Sequence, residues 1–314
     1  MEYIDCIICS EKKSKLAITE GGYEGRQCIK CGLIFVSPRP TFDEVTKLYS
    51  VEKTKLYAKA IVHDELLKRL HARHTLSIIR KYQKSGKLLE LGTGAGYFLD
   101  EARKKNFQVY GNELNTILAN LVRNNLEIPC EQDVLNENTF GRKTFDIIYH
   151  CNVLSHLFDP IFEFKMINNK LNPGGLQIFE TGTTGDMDKK FYKYIEKFDY
   201  PDHLFFFSEN SVNRLLELTG FKPVKIYKYS KLAYFILLKY QKRLQLIFKK
   251  YKSQEDSCQI PSPNVSYRNK FNFNYRSIPR NTKIYLFLLL VYKIGYMFSK
   301  KKYPQTVIVV AQKK

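Results

Sequence analysis

The sequence predicts an α/β protein built on one largely parallel sheet with helices on both faces. Three observations lead there. From Lys87 to Gly220, short β-rich runs alternate with helix-length amphipathic stretches, the pattern of strands joined by crossover helices. A glycine-rich turn, Gly92-x-Gly94-x-Gly96, follows the first of those runs. At 314 residues and 44% hydrophobic content, the chain is long enough for one full domain of this type with small additions at its ends.

Taken in order, residues 1–40 read as a compact cysteine-rich unit, closed by the stiff stretch Ser37-Pro38-Arg39-Pro40. It holds Cys6-x-x-Cys9 and Cys28-x-x-Cys31, whereas Cys130, Cys151 and Cys258 stand alone. The start, Met-Glu-Tyr-Ile-Asp-Cys, has neither a basic nor an apolar leader segment, so the expected location is the cytoplasm. Two close pairs in such a chain suggest metal in place of disulfides: four thiolates can close a tetrahedron around Zn²⁺, and a closed site is structural because no position is left for water.

Residues 41–86 read as a helical connector, with Val45, Leu48, Leu66, Leu67, Leu70, Leu76 and Ile79 at helical spacings and Ser85-Gly86 as the stop. The core follows over 87–230, with strands expected near 87–91, 107–111, 127–131, 145–149, 176–180 and 223–229. Ser208–Thr219 reads as a helix, capped by Ser208 and stopped by Gly220. Residues 231–303 form a basic, aromatic-rich insert, and 304–314 carry the seventh strand in the run Thr306–Ala311.

The net charge of +20 is local. Residues 221–314 hold 21 Lys and Arg against Glu255 and Asp256, leaving 30 bases and 29 acids in residues 1–220. The first two-thirds therefore have no electrostatic reason to seek a phosphate polymer. Within the insert, Ile284–Ser299 makes only ~24 Å of helix, short of a bilayer core of ~30 Å. Lying on an anionic membrane surface suits its lysines better, and lid helices with solvated lysines fit the same pattern.

The chemistry concentrates in Lys87-Leu-Leu-Glu90-Leu-Gly92-Thr-Gly94-Ala-Gly96-Tyr-Phe-Leu99. Glycines let the backbone turn sharply and let a ligand lie against it. An acid two residues before the first glycine would repel a pyrophosphate and suits a cation instead. Further along come Val109-Tyr-Gly-Asn-Glu113, Gln132-Asp133, Phe145-Asp-Ile-Ile-Tyr-His-Cys-Asn-Val-Leu-Ser-His156 and Leu171-Asn-Pro-Gly-Gly175. In this order they resemble class I S-adenosylmethionine-dependent methyltransferases over roughly residues 87–220. The resemblance implies a Rossmann-like seven-stranded methyltransferase sheet, with S-adenosyl-L-methionine held by Glu90, Gly92, Gly94 and Gly96. It also implies Glu113 on the ribose hydroxyls and Asp133 near the adenine amino group.

Cys6 to Pro40 resembles the N-terminal zinc module of bacterial methyltransferases of sugar and sugar-nucleotide pathways, which implies Cys6, Cys9, Cys28 and Cys31 as ligands of a structural zinc. Tyr200-Pro-Asp-His203 is partly similar to a Tyr/His pair that faces substrate in sugar C-methyltransferases, although Pro201 and Asp202 intervene here. Methyl transfer often needs a deprotonated acceptor, so His203 is the expected base, with Tyr200 beside it and Asp202 orienting it. His156 reads as a packed residue on a helix after the fourth strand. The expected function is methyl transfer to a small molecule or glycan: a sugar nucleotide, polysaccharide or lipid-linked intermediate. RNA methylation, with the zinc module and insert gripping phosphate, is the alternative, although that module is not enriched in base.

Overall fold

The computed structural model describes residues 1–48, 65–230 and 302–314, with 58, 232, 292–297, 299 and 300. These form two compact units, Met1–Lys228 with Lys300–Lys314, and Tyr229–Ser299.

The first unit begins with a small antiparallel sheet. β1 (Ser14–Glu20) and β2 (Tyr23–Cys28) make a hairpin in which Glu20 faces Tyr23. Its two-residue turn places both Gly21 and Gly22 at positive φ, a conformation glycine adopts without steric cost. β3 (Ile34–Val36) extends this sheet. Its fourth strand comes from far along the chain: β9 (Phe205–Phe206) pairs with Ile34 and Phe35. The cysteine-rich unit is therefore not closed at residue 40 but is completed by the segment that follows the main sheet.

The expected connector contains α1 (Phe42–Leu48) and α2 (Glu65–Ile79). Thr41 caps α1 with Glu44, whose carboxylate accepts from the Thr41 amide at 2.8 Å and its hydroxyl at 3.0 Å.

The main sheet has seven strands: β4 (Gly86–Leu91), β5 (Phe107–Asn112), β6 (Cys130–Glu131), β7 (Phe145–Cys151), β8 (Leu171–Gly182), β10 (Phe221–Ser230) and β11 (Gln305–Lys313). Their order is β10-β11-β8-β7-β4-β5-β6. β4 runs parallel to β5 and β7, β7 parallel to β8, and β11 antiparallel to β8. Crossovers are supplied by α3 (Tyr97–Arg103), α4 (Thr116–Asn125), α5 (Pro160–Lys170) and α6 (Glu209–Leu218). Asn115 and Asp159 cap α4 and α5, and Ser208 with Ser211 forms a capping box on α6.

Two strands differ from expectation. The run expected at 127–131 shrinks to two residues, because Glu127 takes a positive φ and Pro129, at the sheet edge, has no amide to donate. The run expected at 176–180 lengthens to 171–182: Leu171 pairs with Phe145, and a register shift absorbs the Asn172–Gly175 turn before Leu176 pairs with Ile147.

Strand alternation sorts the sheet faces. Tyr149 and Cys151 share one face, where Phe98 of α3 stacks on Tyr149 at 4.1 Å. On the other, His150 stacks on Phe179 at 5.1 Å and Phe164 of α5 packs edge-on to both rings. The strand order reverses between β4 and β7, which opens a crevice beyond their carboxyl ends.

In the second unit, residues 292–297 are helical, and Tyr292 and Tyr296 pack on Tyr229 at 5.3 and 5.6 Å. Most of the basic insert, with the membrane-surface and RNA roles expected of it, lies outside the described residues. No helix among the described residues is long and apolar enough to cross a membrane.

Candidate active site

At the crevice, β4 runs into the turn Gly92–Gly96, whose three glycines all have positive φ. Gly96 starts α3 in a left-handed conformation, and a Cβ there would sit 2.7 Å from Leu126. The turn is tied to the tip of β5: Gly92 donates its amide to the Asn112 carbonyl at 2.8 Å, and Gly94 donates to Glu113 Oε2 at 2.7 Å. Glu113 Oε1 accepts from the Asn115 amide at 2.9 Å. Burial raises the Glu113 carboxyl above its ordinary range, and the amides of Asn115 and Gly94 pull it back.

Glu90 occupies the last turn-facing position of β4, buried, and its Oε2 has no partner among the described residues. Burial pushes its carboxyl well up, with Cys151 and Glu113 adding to the effect. Asn112 Nδ2 is likewise buried without a partner among the described residues. A buried acceptor and a buried donor are thus left unsatisfied beside a glycine turn, and such groups cost roughly 1–3 kcal/mol each unless something bonds them. This environment suits a ligand with a cationic end and hydroxyls. Asp133 lies apart from this pair, exposed beyond β6, where Oδ2 accepts from the Asn136 side chain at 3.0 Å.

The loop after β7 crosses the turn, and Val153 packs where a Cβ on Gly92 would lie, at 2.8 Å. Two residues on, the Ser155 carbonyl accepts the Leu204 amide at 2.8 Å. His203 is therefore brought to the crevice rim. Its Nδ1 bonds the Phe198 carbonyl at 2.7 Å, which assigns the proton to Nδ1 and leaves Nε2 to accept one. Burial and then the charge of His156 hold the His203 pKa below 6.5. His156 sits in a turn instead of the helix expected for it, half-buried, with its ring 4.4 Å from that of His203. Its Nδ1 contacts the Asp202 carbonyl at 3.1 Å and carboxylate at 3.4 Å, so Asp202 contacts His156 directly.

Tyr200 points elsewhere. Its hydroxyl is buried without a partner among the described residues, so close to β2 that a Cβ on Gly25 would overlap it. Its amide and that of Phe198 donate to the Glu20 carboxylate, both at 2.9 Å.

The four module cysteines converge. Sγ–Sγ distances are 3.4 Å for Cys6–Cys31, 3.6 Å for Cys6–Cys9 and 3.5 Å for Cys9–Cys28. A tetrahedral zinc with Zn–S bonds of ~2.3 Å has edges of about 3.8 Å, so the cluster fits such an ion with a few tenths of an ångström of expansion. Gly32, at positive φ, completes the second knuckle, and the Cys31 amide points at Cys28 Sγ at 3.5 Å.

One grouping was not legible in the sequence. Cys151, read as isolated, meets His71 of α2 and Glu180 of β8: His71 Nε2 lies 3.0 Å from Glu180 Oε2 and 3.8 Å from Cys151 Sγ. Cys151 and Glu180 are direct strand partners.

Against known proteins, a family described as a methyltransferase domain matches residues 63–226, just over half of the chain. Among solved structures, a SAM-dependent methyltransferase from Archaeoglobus fulgidus is similar at 16% identity, covering 82% of this chain and 98% of that one with a TM-score of 0.49. Phosphoethanolamine N-methyltransferase 2 from Haemonchus contortus is similar at 17% identity over 77% of this chain and 53% of that one, TM-score 0.45. The [4+2]-cyclase SpnF shares 13% identity over 77% and 80%, TM-score 0.47. No curated protein matches the chain.

Proposed function

Because the chain belongs to the methyltransferase-domain family and is a class I S-adenosylmethionine-dependent methyltransferase, we propose that it methylates a small-molecule or glycan acceptor: a sugar nucleotide, polysaccharide or lipid-linked intermediate. The observation that carries this reading is the rim histidine: the loop that covers the glycine turn also anchors His203, with its proton-accepting nitrogen left available.

When bound, S-adenosylmethionine supplies an electrophilic methyl group on a sulfonium. Glu90 and the turn Gly92–Gly96 would hold its amino-acid end. Glu113, whose oxygens keep spare lone pairs after bonding two amides, would take the ribose hydroxyls, and Asp133 would meet the adenine edge. His203 Nε2 accepts the acceptor's proton. Tyr200 is a positioning residue, packing its segment on β2. Cys6, Cys9, Cys28 and Cys31 hold a structural zinc, which keeps β3 in place for β9 and thereby steadies His203. The protein works in the cytoplasm, with the insert available for peripheral contact with an anionic membrane.

Calorimetric titration with S-adenosylmethionine should show one site per chain, and Glu90→Gln should weaken it roughly 10- to 100-fold, the value of a lost charge-assisted contact. Supplying a radiolabelled methyl donor with a panel of sugar nucleotides and lipid-linked glycans should label one of them. No heat with the cofactor removes the site assignment; label found only in RNA removes the acceptor.

A further inference from the structure

The methyl-transfer reading leaves His71, Cys151 and Glu180 unused, although they come from three elements and meet at the carboxyl end of the sheet. We propose that these three side chains form a second metal site, a three-ligand site for a divalent transition cation of the zinc type.

The donor atoms converge on one point. His71 Nε2, Cys151 Sγ and Glu180 carboxylate oxygen all lie within 4.8 Å of one another. Around a tetrahedral zinc, nitrogen, sulfur and oxygen ligands at ~2.0–2.3 Å stand about 3.3–3.6 Å apart, between the 3.0 and 3.8 Å observed here. The ligands are also pre-positioned. Cys151 and Glu180 are fixed opposite each other by strand register, and His71 is presented by α2, which is anchored on α3 through Arg69 to Asp100 at 2.6 Å and Glu101 at 3.1 Å. Sites built on rigid elements hold ligand geometry better than sites on loops.

The donor set selects the ion. One imidazole, one thiolate and one carboxylate suit zinc or cobalt(II) and disfavour magnesium or calcium, which take oxygen ligands. Three protein ligands leave a fourth position, the arrangement of sites that take water or substrate, unlike the closed four-cysteine cluster. Charge favours a cation as well. Glu180, 1% exposed, and the buried Glu90 both lie on the sheet face that carries Cys151, and His71 is the basic side chain paired with Glu180. A simple imidazolium–carboxylate pair between half-buried His71 and buried Glu180 is the competing account.

Metal content of the zinc-loaded, dialysed full chain distinguishes the two. Two zinc ions per chain are expected. Each of His71→Gln, Cys151→Ser and Glu180→Gln should lose one of them, and Cys6→Ser should lose the other. Wild-type protein can answer without variants: zinc should slow alkylation of Cys151 by iodoacetamide at least tenfold, and a chelator should restore it. Unchanged zinc content in all three variants, or a Cys151 alkylation rate indifferent to zinc in the wild type, would overturn the site. Neither readout requires methyl transfer, so a failed acceptor assignment leaves this test intact.

Discussion

Glu113 joins two backbone segments: its carboxylate accepts from Gly94 in the glycine turn and from Asn115 at the start of α4. Shortening it would release the turn as well as remove an acceptor, so Glu113→Ala should raise the cofactor Kd by about 100-fold and increase hydrogen exchange at Gly94. Glu113→Gln, which keeps one acceptor oxygen and turns an NH2 donor toward the other amide, should lose less exchange protection than the alanine variant and still lose affinity; faster exchange at Gly94 with affinity unchanged would mean the residue is only a brace. At His203, burial and the neighbouring His156 disfavour the protonated ring. A base that must be neutral then stays competent below its ordinary pKa of 6.5. The acid limb of kcat/KM should therefore have its midpoint under 6.5, and His203→Asn should lower kcat by about 100-fold or more and abolish that limb. An unchanged acid limb in the variant would assign the proton transfer to another group.

At the scale of elements, the junction is the four-stranded sheet in which β9 joins β3. Cys31 stands at its base, where its carbonyl accepts from Ser208 Oγ at the cap of α6, and Gln27 Nε2 donates to the Gly185 carbonyl at 2.7 Å. Removing the proposed zinc from the four cysteines should loosen this junction, including residues distant in sequence. Chelation should speed hydrogen exchange at Phe205 and Phe206 while leaving β4 and β7 protected; uniform exchange would contradict it. The sequence could not reveal the pairing, because two consecutive phenylalanines carry no period, and their partner lies about 170 residues earlier in the chain. The glycine turn, the capping of α6 and the two Cys-x-x-Cys knuckles were legible because their geometry is set by residues only two to four apart. His71, Cys151 and Glu180 were not, since strand register and helix packing, both long-range, bring them together. The short β6 was misjudged for a local reason: apolar composition outweighed the proline and the left-handed Glu127.

For the molecule as a whole, His150 is an acid-sensitive group buried in the core. It is 1% exposed, stacked on Phe179 and edged by Phe164, with Gln177 Nε2 3.4 Å from its Nε2. Burial lowers its pKa from 6.5 to about 3. The unfolded chain therefore takes up a proton on this residue below pH 6.5 that the folded protein refuses until about pH 3. The stability conferred by a neutral ring is fully present above 6.5 and is lost progressively as the pH falls toward 3, at up to ~1.4 kcal/mol per pH unit. Urea unfolding at pH 7.0, 5.5 and 4.5 should show stability falling with pH, with His74 and His203 adding to the fall, and His150→Leu should make it shallower by up to ~1.4 kcal/mol per pH unit even if the variant starts less stable, because Gln177 is left without its neighbour. Binding of S-adenosylmethionine at a hundred times its Kd adds ~2.7 kcal/mol at any of these pH values, so the ligand should raise all three stabilities without changing the slope. A slope that vanished when the cofactor bound would place the titrating group in the crevice instead of between β7, β8 and α5.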